Sequence, residues 1–494
     1  MAAHFDANGE VTALMPGTDY TRQTHHEFLT AAEEALRDPK LQDSLTNLGD
    51  TLAKRNRDAW AAFPQSDAVR ELARQIKDDA LAHLDEHLQT FEAALRARGG
   101  EVHYATDGAE ACRIVTEILR SRGAKKVVKS KSMTTEEIHL NDALEADDVE
   151  VVETDLGEFI VQLSKQRPSH LVAPALHLRM PEIHELLSGD ARETLPYTPE
   201  DMAAYARRRL RADFATADAG ITGGNFAIAE TGSIVLISNE GNARLTVSLP
   251  KIQIAIVGIE KVIPKFADLP VFLKVLARAA TGQKMSVYTS IINGPRAADE
   301  LDGPQEVHVV FLDNGRTRIL EGPLRESLFC IRCGACLNVC PIYRNIGGHA
   351  YGGIYAGPIG AVITPLYDGL AANHHLPHAS SLCGACQAAC PVKIQIPEML
   401  IRLRDKLHHE PGELGWAEGK AYGLWARSMR SPRLYRLFTW LATRTVGRLR
   451  KSRWLTKLPG ALHGWTKTRD FPSPAPERFR DWWEREGAAP GGKR

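Results

Sequence analysis

The sequence has no long apolar run. Its longest apolar stretch, at 252–259, is much shorter than the roughly 20 residues that a membrane-spanning helix requires. The N-terminus lacks the basic start and apolar segment of a secretory signal. No G-x-G-x-x-G motif follows a predicted strand, so a hydride-accepting dinucleotide is not expected. We therefore expect a cytoplasmic protein that uses another kind of cofactor.

Cysteine is almost absent from the first two thirds of the chain. Cys112 is the only cysteine before residue 330, and it falls on the apolar face of a predicted helix, where we expect it to pack in a core. Because a reducing cytoplasm disfavours disulfides, metal ligation is the first interpretation of the remaining cysteines. Those seven lie within 61 residues: Cys330, Cys333, Cys336, Cys340, Cys383, Cys386 and Cys390.

Their spacing is typical of cubane iron-sulfur proteins. The run from Cys330 to Pro341 is C-x2-C-x2-C-x3-C-P, and a shorter copy, C-x2-C-x3-C-P, runs from Cys383 to Pro391. In this motif three thiolates of one loop hold one cluster, while the fourth cysteine ligates the other cluster. A four-cysteine zinc site usually pairs two C-x2-C units, so we favour two 4Fe-4S clusters over zinc.

Exchange of the fourth cysteines predicts the ligands of each cluster. Cluster one receives Cys330, Cys333, Cys336 and Cys390. Cluster two receives Cys340, Cys383 and Cys386, and it lacks a fourth cysteine.

The missing position, three residues before Cys383, is Ser380. The Ser380 oxygen, an imidazole of His374, His375 or His378, water, or a partner's side chain are alternatives for the fourth ligand. A three-iron centre is another alternative. We favour a labile or open site over a serine ligand, because a serine hydroxyl is much harder to deprotonate than a thiol.

At 494 residues, the chain should divide into about three domains of ordinary size. Apolar residues at helical intervals predict helices over 20–98. Alternating strands and helices then predict a mixed-sheet α/β domain, with strands that include 101–105, 148–153, 170–174, 245–250 and 252–259. We expect an N-terminal helical segment at 1–62, the α/β domain at 63–315, an α-helical ferredoxin-type two-cluster domain at 316–400 and a basic helical tail at 401–494.

The tail differs from the rest of the chain in charge. It carries 21 Lys and Arg against 9 Asp and Glu, and it contains seven of the eight tryptophans. Docking on an acidic partner or contact with an anionic lipid surface would suit an electron carrier. Simple helices packed by their tryptophans are an equal alternative, and nucleic acid ranks last because no recognition motif accompanies the charge.

Two further segments are candidate sites. Thr134 and Glu137 have capping-box spacing at a strand-to-helix junction, where Lys129 and Lys131 are candidates to hold a carboxylate or phosphate. A capped helix with solvated lysines is the favoured alternative. Glu230, between glycine-rich turns, is a candidate functional carboxylate, although a turn role is more ordinary for it.

The chain resembles the lactate utilisation protein B family of bacteria along nearly its whole length. The matching stretches include KSKSMTTEEIHLN at 129–141, GITGGNFAIAETGSIVLISNEGNARL at 220–245, CIRCGACLNVCPIYR at 330–344 and ASSLCGACQAACPVKIQIP at 379–397. The resemblance implies an α/β lactate-utilisation domain related to the CoA-transferase and ribose-phosphate isomerase group. The serine in place of an eighth cysteine resembles the family's own pattern.

The resemblance also implies a function. It implies electron transport during oxidation of L-lactate to pyruvate, together with other lactate-utilisation proteins encoded beside it and with a quinone or respiratory-chain acceptor. We therefore expect a non-catalytic electron-transfer subunit, because nothing visible in the chain accepts a hydride. The alternative is an enzyme subunit that oxidises lactate or another small acid at a site of its own in the α/β domain, with cluster two at the substrate site.

Overall fold

A computed structural model of the chain describes residues 4–5, 11–13, 24–409, 416–445, 454–458, 460–467, 469–473, 475 and 477–487. It forms two compact units, Met1–Leu407 and His408–Arg494. Residues 20–23 of the predicted helical stretch and residues 446–453 of the predicted basic tail lie outside the described residues.

The described residues contain helices and strands throughout. The helices are α1 His25–Arg37, α2 Pro39–Ala61, α3 Ser66–Ala82, α4 Leu84–Arg96, α5 Gly108–Ser121, α6 Met133–Glu137, α7 Leu140–Ala146, α8 Leu156–Ser164, α9 Met180–Ala191, α10 Pro199–Thr216, α11 Asn242–Ser248, α12 Leu269–Thr281, α13 Arg316–Leu320, α14 Ala335–Val339, α15 Tyr343–Ile346, α16 Gly357–Asp368, α17 Ala385–Ala389, α18 Ile396–His409, α19 Trp416–Arg430, α20 Pro432–Thr445 and α21 Phe479–Trp482. The strands are β1 His4–Phe5, β2 Val11–Ala13, β3 Glu101–Ala105, β4 Lys126–Lys129, β5 Glu150–Glu153, β6 Ala219–Thr222, β7 Phe226–Ile228, β8 Ser233–Ser238, β9 Ile252–Gly258, β10 Val262–Ile263, β11 Tyr288–Ile292, β12 Glu306–Leu312, β13 Trp454–Leu455 and β14 Phe471–Pro472.

The largest sheet has six strands in the order β3-β12-β9-β6-β4-β5. Every neighbouring pair in it is parallel. Its central strand β9 is buried along its whole length, as a parallel sheet covered on both faces requires. A second sheet has the order β10-β7-β8-β11 and mixes parallel and antiparallel pairs. The prediction of an α/β fold is confirmed at this level.

The strand predicted at 245–250 is wrong, because residues 245–248 lie in helix α11 and residues 249 and 250 follow its end. The helix packs closely on strand β6: a Cβ on Gly220 would lie 1.9 Å from the carbonyl oxygen of Thr246. The Thr246 hydroxyl is buried and donates to the Asn242 carbonyl one turn earlier, at 3.0 Å. The β-branched residues that suggested a strand therefore pack a short helix against the sheet.

The strand predicted at 170–174 is also wrong. Val172 and Ala173 donate their backbone N–H groups to Nδ1 of His170, at 3.0 and 3.2 Å, instead of to a neighbouring strand. The other nitrogen of this buried ring lies 3.2 Å from Oδ1 of Asn338 on helix α14. The segment is thus a loop of the α/β domain that contacts the cysteine segment through His170 and Asn338.

Cys112 packs as predicted, against the core formed by the large sheet and helices α5 and α7. Its thiol donates to the Ile138 carbonyl at 3.2 Å. Burial raises the pKa of the Cys112 thiol to about 12, so the group is neutral at ordinary pH. It has the surroundings of a structural cysteine rather than a reactive one.

A buried network of charges holds the α/β domain against the cysteine segment. Arg316 is wholly buried and reaches Glu260 at 2.6 Å and both oxygens of Glu137 at 2.8 and 2.9 Å. Tyr355, from the cysteine segment, donates its hydroxyl to the same Glu137 at 2.6 Å. The Arg316 guanidinium also stacks on the ring of Tyr367, 4.8 Å from its centroid.

The pKa values in this network follow from that pairing. Burial by itself would raise the pKa of Glu260, but the charge of Arg316, followed by those of Lys261 and Arg332, lowers it to about 2. Burial likewise opposes ionisation of Glu137. The charge of Arg316 outweighs this effect, so the pKa of Glu137 lies below its usual value. Both carboxylates stay ionised because an arginine lies between them.

We predict that Arg316→Met will destabilise the protein by about 3–5 kcal/mol, because it leaves two buried carboxylates without their counter-charge. Urea titration followed by circular dichroism would measure the loss. Arg113→Met is the matched control, since Arg113 forms only exposed pairs on helix α5 with Glu110 and Glu117. An Arg316→Met protein that is as stable as the control would contradict a structural role for the network.

Candidate iron-sulfur centres

The two cysteine motifs fold into the same loop. Arg332 and Leu382 both adopt left-handed conformations, with φ values of 59° and 54°. Gly334 and Gly384, two residues later in each copy, do the same at 74° and 81°. Each copy then forms a five-residue helix, α14 or α17. The sequence repeat is therefore also a structural repeat.

Ser380 occupies the place in the second loop that Cys330 has in the first. Arg332 donates its backbone N–H to the Cys330 sulfur at 3.4 Å, and Leu382 donates its own to the Ser380 hydroxyl oxygen at 3.2 Å. The equivalence predicted from spacing thus extends to the local hydrogen bonds. Whether Ser380 binds iron stays a prediction.

The seven cysteines fall into two groups. Four line one pocket with apolar neighbours, and these are Cys330, Cys333, Cys336 and Cys390. In the second group, Cys340 lies close enough to Cys383 for their charges to interact, and Cys386 interacts with both. These are the groups that exchange of the fourth cysteines predicts.

The spacing of the sulfurs does not suit a single ion. A tetrahedral zinc ion, with Zn–S bonds of about 2.3 Å, would hold its sulfurs roughly 3.8 Å apart. In the part of the chain that the structure describes, the only three potential ligands that approach within 4.8 Å of one another are Glu101, His103 and His308, which are not cysteines. Among the described residues no three cysteine sulfurs all lie within that distance of one another, as the ligands of a cluster larger than one ion need not.

The two groups differ in their exposure to solvent. Burial raises the pKa of Cys390 to about 12 and that of Cys386 to about 11, so without a cation these thiols would be protonated. The positive charge of iron would offset this penalty and allow the thiolate form. Cys383, by contrast, is exposed, and a hydrogen bond from the Ala385 backbone lowers its pKa. The first group is enclosed, and the second has one ligand position at the surface.

Backbone N–H groups also point at the sulfurs of the fourth cysteines. Tyr343 donates to Cys340 at 3.5 Å, and Ile394 donates to Cys390 at 3.3 Å. Such bonds stabilise a thiolate and tune a cluster that it binds. The residues present therefore fit iron-sulfur clusters.

Two of the histidines considered as ligands have other neighbours. His375 is buried, and its ring lies 5.2 Å from that of Phe28. The ring of His374 stacks on that of His25 at 5.9 Å. Burial lowers the pKa of His375 to about 4, and the neighbouring charges that act on it are those of His374 and His25. Both ring nitrogens of the buried His375 lack a hydrogen-bond partner in the described part of the chain, so His375 stays an alternative ligand beside Ser380, water and an open position.

The capping box predicted at Thr134 is wrong. Helix α6 begins after Ser132, whose hydroxyl accepts from the Thr135 backbone at 3.3 Å. Glu137 instead belongs to the buried charge network.

The anion role suggested for Lys129 is wrong as well. Lys129 is fully buried between Glu136 at 2.8 Å and Glu153 at 2.7 Å, so both its charge and its space are taken. Lys131 does line a cavity, described below, where Glu158 lies 2.8 Å away. The Glu230 carboxylate accepts a hydrogen bond from the Phe266 backbone N–H at 2.8 Å. This contact agrees with the turn role that is the more ordinary alternative for Glu230.

Three functionally placed residues were not found from the sequence: Glu260, Lys261 and Arg332. Glu260 and Lys261 follow the apolar strand β9 directly, and both are buried. Charged residues at the carboxyl end of a buried parallel strand are a recognisable signal. Arg332 gave no such signal, because it is a spacer position within the cysteine motif.

The second unit presents basic and aromatic side chains. Trp425 and Trp440 are 60% and 40% exposed, and Arg444 lies over the ring of Trp440, 4.7 Å from its centroid. Among the residues that the structure describes, no helix combines the length and apolarity needed to cross a bilayer.

Comparison with known protein families agrees with this architecture. A LUD domain model matches residues 88–312, and a 4Fe-4S dicluster domain model matches 326–394. A third model, described as lactate utilisation protein B, C-terminal, matches 404–488. The fold and the site thus define an iron-sulfur protein in which an α/β domain precedes a dicluster domain.

Individual relatives make the family specific. Lactate utilization protein B of Geobacillus kaustophilus is 47% identical over 416 residues, which are 84% of this chain and 87% of the relative. The protein of the same name from Oceanobacillus iheyensis is 46% identical over 84% of this chain and 87% of its own. That from Anoxybacillus flavithermus is 43% identical over 93% and 98%. This chain belongs to the lactate utilisation protein B family.

We predict that Ser380→Cys will change the paramagnetic resonance signal of cluster two and leave that of cluster one unaltered. The new thiolate would stand where the loop geometry places Cys330 in the first copy. Spectra of the reduced, anaerobically reconstituted protein would measure the change.

Ser121→Cys is the control, because it adds a thiol at an exposed position of helix α5, outside both cysteine groups. If Ser380→Cys gives the wild-type spectrum, or if both variants change it equally, Ser380 does not occupy the vacant corner.

Proposed function

We propose that this chain is an iron-sulfur electron-transfer protein of L-lactate degradation, acting while lactate is oxidised to pyruvate. The observation that carries the proposal is the division of seven cysteines into two groups by exchange between two loops, in a family whose members are named for lactate utilisation. Cys330, Cys333, Cys336 and Cys390 would hold one 4Fe-4S cluster. Cys340, Cys383 and Cys386 would hold the second.

The protein's own residues suit this role. A bound cubane cluster takes up and releases one electron at a time, whereas oxidation of a 2-hydroxy acid releases two. Two adjacent sites would accommodate both electrons, and the charges of Cys336 and Cys386 interact between the groups. Apolar side chains such as Leu171, Ile359 and Val392 line the first pocket and exclude water from it.

Partners would complete the pathway. The other lactate-utilisation proteins are the expected donors, and a quinone or another respiratory-chain component is the expected acceptor. The basic second unit is a candidate surface for docking on an acidic partner or an anionic membrane, which would keep a cytoplasmic protein near its acceptor.

We also propose the domain boundaries that the sequence predicts, which fall after residues 62, 315 and 400. We further propose that the α/β domain is related to the CoA-transferase and ribose-phosphate isomerase group. The six-stranded parallel sheet with its helices supports the assignment of this domain to the α/β class.

We predict that Cys336→Ala will lose cluster one and abolish lactate-dependent dye reduction by the chain assembled with its partner proteins. Cys336 is buried and is one of the four proposed ligands of cluster one. Iron and acid-labile sulfide analysis and the dye assay would measure both effects. Cys112→Ala, which removes a thiol outside the two groups, should keep the iron content and the activity.

Omitting the partners should remove turnover of the wild-type protein as well. Near-zero iron in the anaerobically purified wild type would refute the proposal. Full lactate oxidation by the chain alone would replace the relay by an enzyme with its own substrate site.

A further inference from the structure

A cavity of about 440 Å³ lies between the α/β domain and the first cysteine group. Its lining includes the loop after β4, the glycine-rich turn after β6 and the start of α11. Residues 331–333 also line it. The same three residues line the pocket of the first cysteine group, which consists of Cys330, Cys333, Cys336 and Cys390. The cavity and the proposed cluster therefore share a wall that contains Cys333.

Two cations in the cavity lining have unused bonding capacity. Lys261 is only 6% exposed, yet within the described chain its ammonium group makes no hydrogen bond or ion pair. Arg332 has one buried guanidinium nitrogen, Nη1, without a partner, while its Nη2 contacts the Tyr367 hydroxyl at 3.2 Å. A buried donor without an acceptor is costly, so these two side chains call for an acceptor that a ligand would supply.

Nearby acidic residues do not accept hydrogen bonds from these donors. One oxygen of Glu260 is occupied by Arg316 at 2.6 Å, and the other lies 3.6 Å from Arg332. Glu260 must also offset the charge of Lys77, whose ammonium donates to its backbone carbonyl. Lys131 is matched by Glu158. Glu260 and the thiolates of the proposed cluster one offset part of the charge of Lys261 and Arg332, but within the described residues the donors of these two side chains that lack a partner stay unfilled.

We propose that this cavity binds a small organic carboxylate, of the 2-hydroxy or 2-oxo acid class, with Lys261 and Arg332 as the groups that hold its carboxylate. The proposal deepens the proposed function by placing a ligand site in the α/β domain, and only its spectroscopic readout rests on that function. The carboxylate of the bound acid would lie beside Cys333, which is a proposed ligand of cluster one. The alternative enzyme hypothesis from the sequence has the substrate at cluster two instead.

The remaining lining favours a singly charged acid over a phosphate. Asp155 and Glu240 also line the cavity, and burial raises the pKa of Glu240 while Asp155 raises it further. A multiply charged ligand would be repelled by these acidic groups. Ser130, Ser132 and Asn225 offer neutral polar atoms to the hydroxyl or keto oxygen of a small acid.

Calorimetric titration of the anaerobically purified full chain with L-lactate and with pyruvate tests the site. We expect at least one acid to bind, and we expect Lys261→Met to weaken its affinity by about tenfold or more, as loss of a charged hydrogen bond does. Lys261→Arg, which keeps the charge, should restore much of the affinity. Binding should alter the resonance spectrum of cluster one and leave that of cluster two unchanged.

Lys77→Met is the matched control, because Lys77 is an equally buried lysine that also faces Glu260 but is not part of the cavity lining. It should bind the acid with wild-type affinity. Absence of binding by a wild type with intact clusters, binding of inorganic phosphate alone, or equal losses in Lys261→Met and Lys77→Met would each overturn the proposal. Iron content and spectra without added acid test the clusters separately, so failure of the ligand site is distinguishable from failure of the electron-transfer proposal.

Discussion

The structure depends on neutralising a small set of charges that are buried together. Arg316 is inserted between Glu137 and Glu260, and this arrangement is tolerable only because each charge has a partner at hydrogen-bond distance. The carboxylates come from the α/β domain, whereas Tyr355 and Tyr367, which contact the same groups, come from the cysteine segment. The network therefore fixes the position of one segment relative to the other. A displacement would leave a charge unpaired in an apolar interior.

This constraint reaches the first cysteine loop through Arg332. Its guanidinium lies over the Tyr355 ring, 4.5 Å from the centroid, and approaches Glu260 at 3.6 Å. Arg332 has a positive φ of 59°, which an arginine adopts only at some energetic cost, and the buried contacts offset that cost. The equivalent residue of the second loop is Leu382, whose apolar side chain cannot form an ion pair with a buried carboxylate.

The sequence was most informative where function depends on local spacing. The proposed cysteine groups and the place of Ser380 follow from a short motif and its repeat, and the two copies of the motif form the same loop in the structure. The sequence was less informative where a segment's partner is distant. Residues 245–248 have strand-forming side chains but lie across Gly220 as a helix, and Lys129 looks like a surface lysine until Glu136 and Glu153 enclose it. Neither outcome can be derived from neighbours along the chain, because both are set by tertiary packing.

Lys261 illustrates why such a residue requires a reason beyond stability. Burial lowers the pKa of its ammonium group to about 8, while the charge of Glu260 opposes that change, so the group remains largely protonated at neutral pH. Keeping this charge in a cavity wall costs free energy, and a methionine of similar length would fill the same space without that cost. Arg316, equally buried, returns its desolvation cost through contacts with two carboxylates, whereas Lys261 has no such contact in the described chain. The two residues obey the same electrostatic rule, and the difference between them is the difference between a cation that holds the fold together and one that is left available to a ligand.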